Sequence, residues 1–229
     1  MGRSEQPVVW PLKYWLSGED SLVNGKWVDR INSNVQWTVG ASVTYDSTNG
    51  RYLFMGRTSG RWPQDWIAEL PTNLINLYNL GYHWKMIVKG TFLNAPASIS
   101  GSHYFIDFGS VTQAQFNIGW GVENKKFYTN FKTSGNISTY SCTATNALVD
   151  ATSSPFDFEV EFGCEAVTET TSRLYTLYDN TYYYGTAFSN MLFTNWNSRA
   201  FYIGQGFAGT NYGCDFYLSD WKIYVEDYE

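Results

Sequence analysis

The chain is poor in charge, in cysteine and in histidine, and it has no long apolar run. Charged residues make up 16% of its 229, with 15 Lys and Arg against 21 Asp and Glu, for a net charge of -6. A nucleic-acid backbone is held by clustered Lys and Arg, and the pair Lys125-Lys126 is no such patch. Nucleic acid is therefore not an expected partner. Cys142, Cys164 and Cys214 lack CxxC spacing, and His83 and His103 lie beside no metal-ligand run, so no structural zinc site is expected. No segment reaches the ~20 apolar residues that a membrane-spanning helix needs, so no membrane insertion is expected. Nucleophile-elbow, phosphate-loop and dinucleotide-binding glycine patterns are all absent. No cofactor is expected. Glu19-Asp20 and Asp46 are scattered rather than set in a calcium loop, although carbonyl-rich loops leave calcium open. No leading segment has the features of a secretory signal. Two settings follow as expectations: a cell-surface or extracellular domain of a larger protein, or a virion protein made without export.

Aromatic residues fill the space that charge leaves. Tyr 18, Phe 15 and Trp 10 make the chain 19% aromatic, more tryptophan than a core of this size needs. Some rings should therefore face outward, where they suit carbohydrate or protein contacts. Frequent Gly and Asn, without long Ala, Leu, Glu or Lys runs, favour strands joined by turns. Asn24-Gly25 before Lys26-Trp27-Val28 predicts a tight hairpin turn. Alternation predicts strands at Val35–Val39, Arg51–Met55, His83–Lys89, Tyr104–Phe108, Phe116–Val122, Lys126–Lys132, Arg199–Gly204 and Asp215–Val225. A strand pair is expected around Ser138–Thr145, and a hairpin of Ser172–Tyr178 with Asn180–Gly185 about Asp179-Asn180. Asp65–Leu70 reads as a helical turn halted by Pro71. No linker breaks the succession, so residues 1–229 read as one domain, with 1–14 as an arm that could dock on a partner. The expected fold is all-β, a two-sheet antiparallel β-sandwich of jelly-roll type.

One segment separates two surfaces cleanly. In Phe156-Asp157-Phe158-Glu159-Val160-Glu161-Phe162, the apolar side chains fall on one face of a strand and the carboxylates on the other. The apolar face must pack on a second layer, and the acidic face must stay wet or meet a polar ligand. Cys164 continues the apolar phase and should be a buried small hydrophobe.

In the C-terminal half, Phe156–Glu161 (FDFEVE), Arg173–Asn180 (RLYTLYDN), Arg199–Gly204 (RAFYIG) and Tyr217–Tyr224 (YLSDWKIY), with Asp29–Trp37 (DRINSNVQW) earlier, resemble the concanavalin A-like superfamily, especially laminin-G-like jelly rolls. That resemblance implies a carbohydrate-binding or adhesive module, with the ligand on a sheet face or its rim. It also brings a comparison with laminarinase-like glycoside hydrolases, whose strand carries Glu-x-Asp-x-Glu. Here Asp157 falls at the nucleophile position and Glu159 at the middle one; only Glu161 keeps its type. A shorter nucleophile misplaces the attacking oxygen by about a bond length, which counts against hydrolysis.

Carboxylates and amides pair with sugar hydroxyls, while a ring stacks on the apolar face of a pyranose. Asp157, Glu159 and Glu161, the outward-phase Asn117, Tyr128, Asn130, Arg173 and Tyr175 on other strands, and Trp196 in a turn-rich region are therefore the candidate carbohydrate-binding residues. Arg173 could instead neutralise Glu159 or Glu161, and Tyr182-Tyr183-Tyr184 must send a ring to each side of its strand. The leading expectation is a non-catalytic, lectin-like module whose partner is a glycan or a surface protein. Its rivals are a structural or adhesion protein of a bacteriophage virion, working as a homo-oligomer or within a particle, and a glycoside hydrolase using the acidic strand.

Overall fold

Strands are the only regular elements in the computed structural model of the chain, which describes residues 10–34, 36–39, 43–55, 66–67, 83–93, 102–109, 117–123, 126–132, 139–143, 155–189, 200–203 and 215–225. Numbered in chain order, they form two large antiparallel sheets and one small one. At the middle of the larger sheet, β7 (Trp84–Phe92) lies between β12 (Phe156–Thr168) and β17 (Asp215–Val225). Beyond β12 come β13 (Thr171–Tyr178) and β14 (Thr181–Tyr184); beyond β17 come β5 (Arg51–Met55) and β4 (Thr44–Asp46). β1 (Leu12–Ser17) also pairs with β17, and β15 (Phe188–Ser189) with β13. The second sheet runs β11 (Thr139–Thr143), β10 (Lys126–Lys132), β9 (Asn117–Glu123), β8 (Ser102–Gly109), β16 (Ala200–Ile203) and β6 (Trp66–Ile67). β2 (Lys26–Val28) and β3 (Gln36–Thr38) form a separate pair.

The sheets stack through aromatic side chains. Phe127 of β10 is fully buried against Phe92 of β7, Phe158 and Phe162 of β12 and Tyr178 of β13, with ring centroids 4.8–6.3 Å apart. Phe158, Val160, Phe162 and Cys164 all point into this core, while Asp157 and Glu159 are exposed and Glu161 half-buried. The strand thus sorts its residues by polarity, as a period of two demands. Each fully buried Phe side chain contributes roughly 1.5–3 kcal/mol, so this alternation fixes the register: a one-residue slip would drive three carboxylates into the core. Burial pushes the Cys164 thiol up to about 12, with the Glu165 charge adding to it and a hydrogen bond from Ser172 opposing.

Tight turns hold the hairpins. Asn24 and Gly25 have φ of 53° and 74°, and Asp179 and Asn180 have 49° and 56°. Positive φ at both central residues gives the twist that joins antiparallel strands through two residues. Val23 and Lys26 exchange both backbone hydrogen bonds, at 2.9 and 3.0 Å.

Several expectations need correction. Within Asp65–Leu70, Trp66–Ile67 is a strand, because Tyr202 and Phe201 pair with it. The region of Ser138–Thr145 contributes one described strand, β11, whose partner is β10 rather than a local neighbour. His83 precedes β7 and is buried, with Nε2 3.3 Å from Ser172 Oγ. Of the expected arm, residues 1–9 lie outside the described residues, and its last residues, Leu12 to Tyr14, belong to β1, which pairs with β17.

Candidate functional site

The acidic strand turns its carboxylates to the outer face of the larger sheet, and the register shows what stands beside each. Glu161 is directly opposite Leu177 on β13 and Ile87 on β7; Glu165 is opposite Arg173; Glu159 is opposite Lys89. Every carboxylate on this stretch has a partner. Thr91 Oγ1 donates to Asp157 at 2.6 Å. Lys89 lies 4.0 Å from Glu159, an exposed pair that contributes little to stability. Glu161, only 13% exposed, accepts a 2.7 Å hydrogen bond from the Tyr175 hydroxyl and has the Lys85 ammonium at 3.6 Å. Arg173 donates through Nε and a terminal nitrogen to one oxygen of Glu165, at 2.7 and 2.5 Å. The expected charge pair of Arg173 with Glu159 or Glu161 is corrected by this register, which sets Arg173 across from Glu165 instead.

Tyrosines dominate the rest of the face. Tyr175 is 4% exposed because its ring lies flat across Gly163 of the neighbouring strand. A Cβ at position 163 would stand 2.2 Å from that ring, so only glycine allows the arrangement. Burial, reinforced by the Glu161 charge and its hydrogen bond, pushes the Tyr175 phenol well above its ordinary range. Tyr182 and Tyr224 are raised for the same reasons in the same order, burial first and then Glu161. Tyr182 and Tyr184, two apart on β14, stand outward at 50% and 48% exposure. Their rings are parallel within 6°, with centroids 5.8 Å apart, and Tyr183 between them is buried. The Arg173 guanidinium covers the Tyr184 ring at 3.7 Å, and Lys85 lies 5.2 Å from the ring of Tyr224 and 5.8 Å from that of Trp10.

Of the residues singled out in the sequence, Asp157, Glu159, Glu161, Arg173 and Tyr175 come together on this face. Asn117, Tyr128 and Asn130 do not. They belong to β9 and β10 of the other sheet, whose strands pair among themselves and not with β12. Tyr128 is 1% exposed, so its ring is packed rather than presented. Trp196 lies outside the described residues. Tyr182, Tyr184, Lys85, Tyr224 and Glu165 were not among the expected contacts. The Asp179-Asn180 turn carried the signal for the first two, since a two-residue hairpin sets Tyr184 opposite Tyr175. Lys85 and Tyr224 are brought in by long-range pairing alone.

No protein-family model matches the chain, and no curated protein matches it in sequence. Solved structures do. A receptor-binding domain superposes with a TM-score of 0.62 at 11% identity, over 95% of this chain and 48% of that one. The chain shares its fold with these binding domains. The binding domain of Paraclostridial Mosquitocidal Protein 1 gives 0.60 at 11% identity, covering 95% of this chain and 49% of its own. The binding domain of Botulinum Neurotoxin DC, solved in complex with SialylT, gives 0.60 at 10% identity, covering 95% and 48%. The chain thus spans about half the length of these binding domains, and at such identities the likeness is one of fold: an antiparallel β-sandwich. Among the described residues, no helix is long and apolar enough to cross a membrane, and no group of three or more His, Cys, Asp and Glu could hold a metal ion.

Proposed function

We infer that this chain is a non-catalytic glycan-recognition module, and that it binds through the outer face of the larger sheet where β12, β13 and β14 adjoin. The carrying observation is the exposed, parallel pair Tyr182 and Tyr184 beside the polar groups of Glu161, Glu165 and Arg173. Exposed rings supply flat apolar area for the C–H face of a pyranose, and charged groups with spare hydrogen-bonding capacity supply partners for its hydroxyls. Solved neighbours of the same fold are themselves binding domains, which supports the reading by analogy of fold. Such a module acts at an extracellular or cell surface.

The pairing on the acidic strand also bears on hydrolysis. Two carboxylates that divide acid and nucleophile roles must act on one bond. Here Asp157, Glu159 and Glu161 are each engaged by a different neighbour, Thr91, Lys89 and Tyr175 with Lys85. A row so compensated suits binding better than acid chemistry. The test is a glycan-array screen of the purified chain beside an Asp157→Asn/Glu159→Gln/Glu161→Gln variant. Specific binding by the wild type that falls in the variant supports the reading. Binding to no glycan overturns it.

A further inference from the structure

One line of side chains crosses the sheet at right angles to its strands. Tyr184 on β14 is paired with Tyr175 on β13, Tyr175 with Gly163 on β12, Gly163 with Lys85 on β7, and Lys85 with Tyr224 on β17. These residues share the outer face, as the exposure of Tyr184 and the Lys85–Glu161 contact show. Gly163 carries no side chain, and the Tyr175 ring fills the space above it. The result is a track with the exposed ring of Tyr184 at one end, the packed Tyr175 ring as its floor, and the half-buried Tyr224 at the far end, where Trp10 also meets Lys85. Its ends are four inter-strand steps apart, or roughly 19 Å at ~4.8 Å per step. That is longer than a single sugar ring.

Charge along the track is balanced pair by pair. The carboxylates, Glu161 and Glu165, face the cations Lys85 and Arg173 at 3.6 and 2.5 Å. Each cation is also engaged with a ring, Lys85 with Tyr224 and Arg173 with Tyr184. An anionic ligand would have to compete with a carboxylate already in place for either cation, and a cationic one with a guanidinium or ammonium for either carboxylate. A hydroxyl needs no such exchange. A paired carboxylate keeps lone pairs to accept, and a guanidinium bound to one oxygen keeps N–H groups to donate.

We propose that the track takes an uncharged, linear oligosaccharide laid across the strands, with one sugar against the exposed sides of Tyr182 and Tyr184 and a later one at Tyr224. This rests on the glycan-binding reading above and narrows it to neutral, extended ligands. The experiment is calorimetric titration of the whole chain with neutral gluco-, manno- and galacto-oligosaccharides from monomer to tetramer, beside the same cores bearing a terminal sialic acid. It is run at about 50 and about 500 mM salt, across which surface charge attraction is largely screened. Affinity for one neutral series should rise about tenfold or more from monomer to tetramer and change less than about twofold with salt. Tyr184→Ala and Tyr224→Ala, checked for unchanged thermal unfolding, should each remove most of the length-dependent gain while leaving weak monomer binding. Should Tyr224→Ala unfold the chain, Tyr224→Leu gives the same comparison, since it removes the ring while keeping apolar volume at the site. Preference for sialylated cores with strong salt dependence would overturn the neutral-ligand proposal and keep the glycan reading. Tight monomer binding with no gain on extension would overturn the track. Binding to none of the sugars would overturn both.

Discussion

Replacing Gly163 by alanine should be among the most damaging single-methyl additions on this face. The new Cβ would lie 2.2 Å from two ring atoms of Tyr175 and 2.5 Å from its hydroxyl, so the ring has to lift. A tyrosine buries ~150–250 Å²; re-exposing about half of it at ~25 cal/mol per Å² costs about 2–3 kcal/mol. The lifted hydroxyl also leaves Glu161, and a hydrogen bond to a charged group contributes ~1.5–3 kcal/mol. The lower figure applies, because Glu161 keeps Lys85 nearby and is 13% open to water. Alanine returns ~0.5–1 kcal/mol through its lower conformational freedom in the unfolded chain. The net loss is about 3 kcal/mol, a fall in Tm of roughly 6–12 °C for a chain of this size. Urea unfolding of Gly163→Ala, Tyr175→Phe and the double variant measures it. With the ring already displaced, Tyr175→Phe should add almost nothing in the Gly163→Ala background. A neutral or stabilising Gly163→Ala, or full additivity of the two changes, would refute the packing of Tyr175 over Gly163.

Further expectations concern titration and reactivity. Burial and the nearby Asp29 push the Tyr14 phenol up to about 12, and burial with Glu161 raises Tyr175 as well. An unfolded tyrosine ionises near pH ~10, so both groups contribute their full stability below that pH; Tyr14 loses its share as the pH rises from ~10 through ~12, and Tyr175, raised further, goes on losing its share above that. Ultraviolet titration of tyrosinate should show a late-titrating class that merges with the rest on unfolding; a single class near ~10 would contradict it. Cys164, buried and with its thiol raised to about 12, should resist alkylation at pH ~8 in a Cys142→Ser/Cys214→Ser variant until denaturant is added. Rapid labelling of the folded variant would place the thiol at the surface instead.

Local pattern carried much of the architecture. Polarity alternation in Phe156–Phe162 was enough to tell core from outer face, because a strand has only two sides and burial of a carboxylate is prohibitive. The Asn24-Gly25 and Asp179-Asn180 turns were legible because few residues accept positive φ. Trp66–Ile67 was not legible: two residues hold no period, and only pairing with β16 makes them strand. The candidate site was legible in half. Glu161, Arg173 and Tyr175 follow from phase, but phase alone does not say which sheet a strand joins, so Asn117, Tyr128 and Asn130 were grouped with a face they do not share. Gly163 left no trace in the pattern, since its role appears only once β13 lies beside it.

The central claim is that glycan binding belongs to the outer face of the larger sheet at β14. The most direct measurement is the affinity of the tightest array ligand for the wild type and for a Tyr182→Ala/Tyr184→Ala variant of equal thermal stability. Both rings are about half exposed, so their loss should leave the fold intact. Removing two stacking surfaces should weaken binding by about tenfold or more, ~1.4 kcal/mol. An unchanged affinity in the folded variant would contradict the account and move the binding surface elsewhere on the chain.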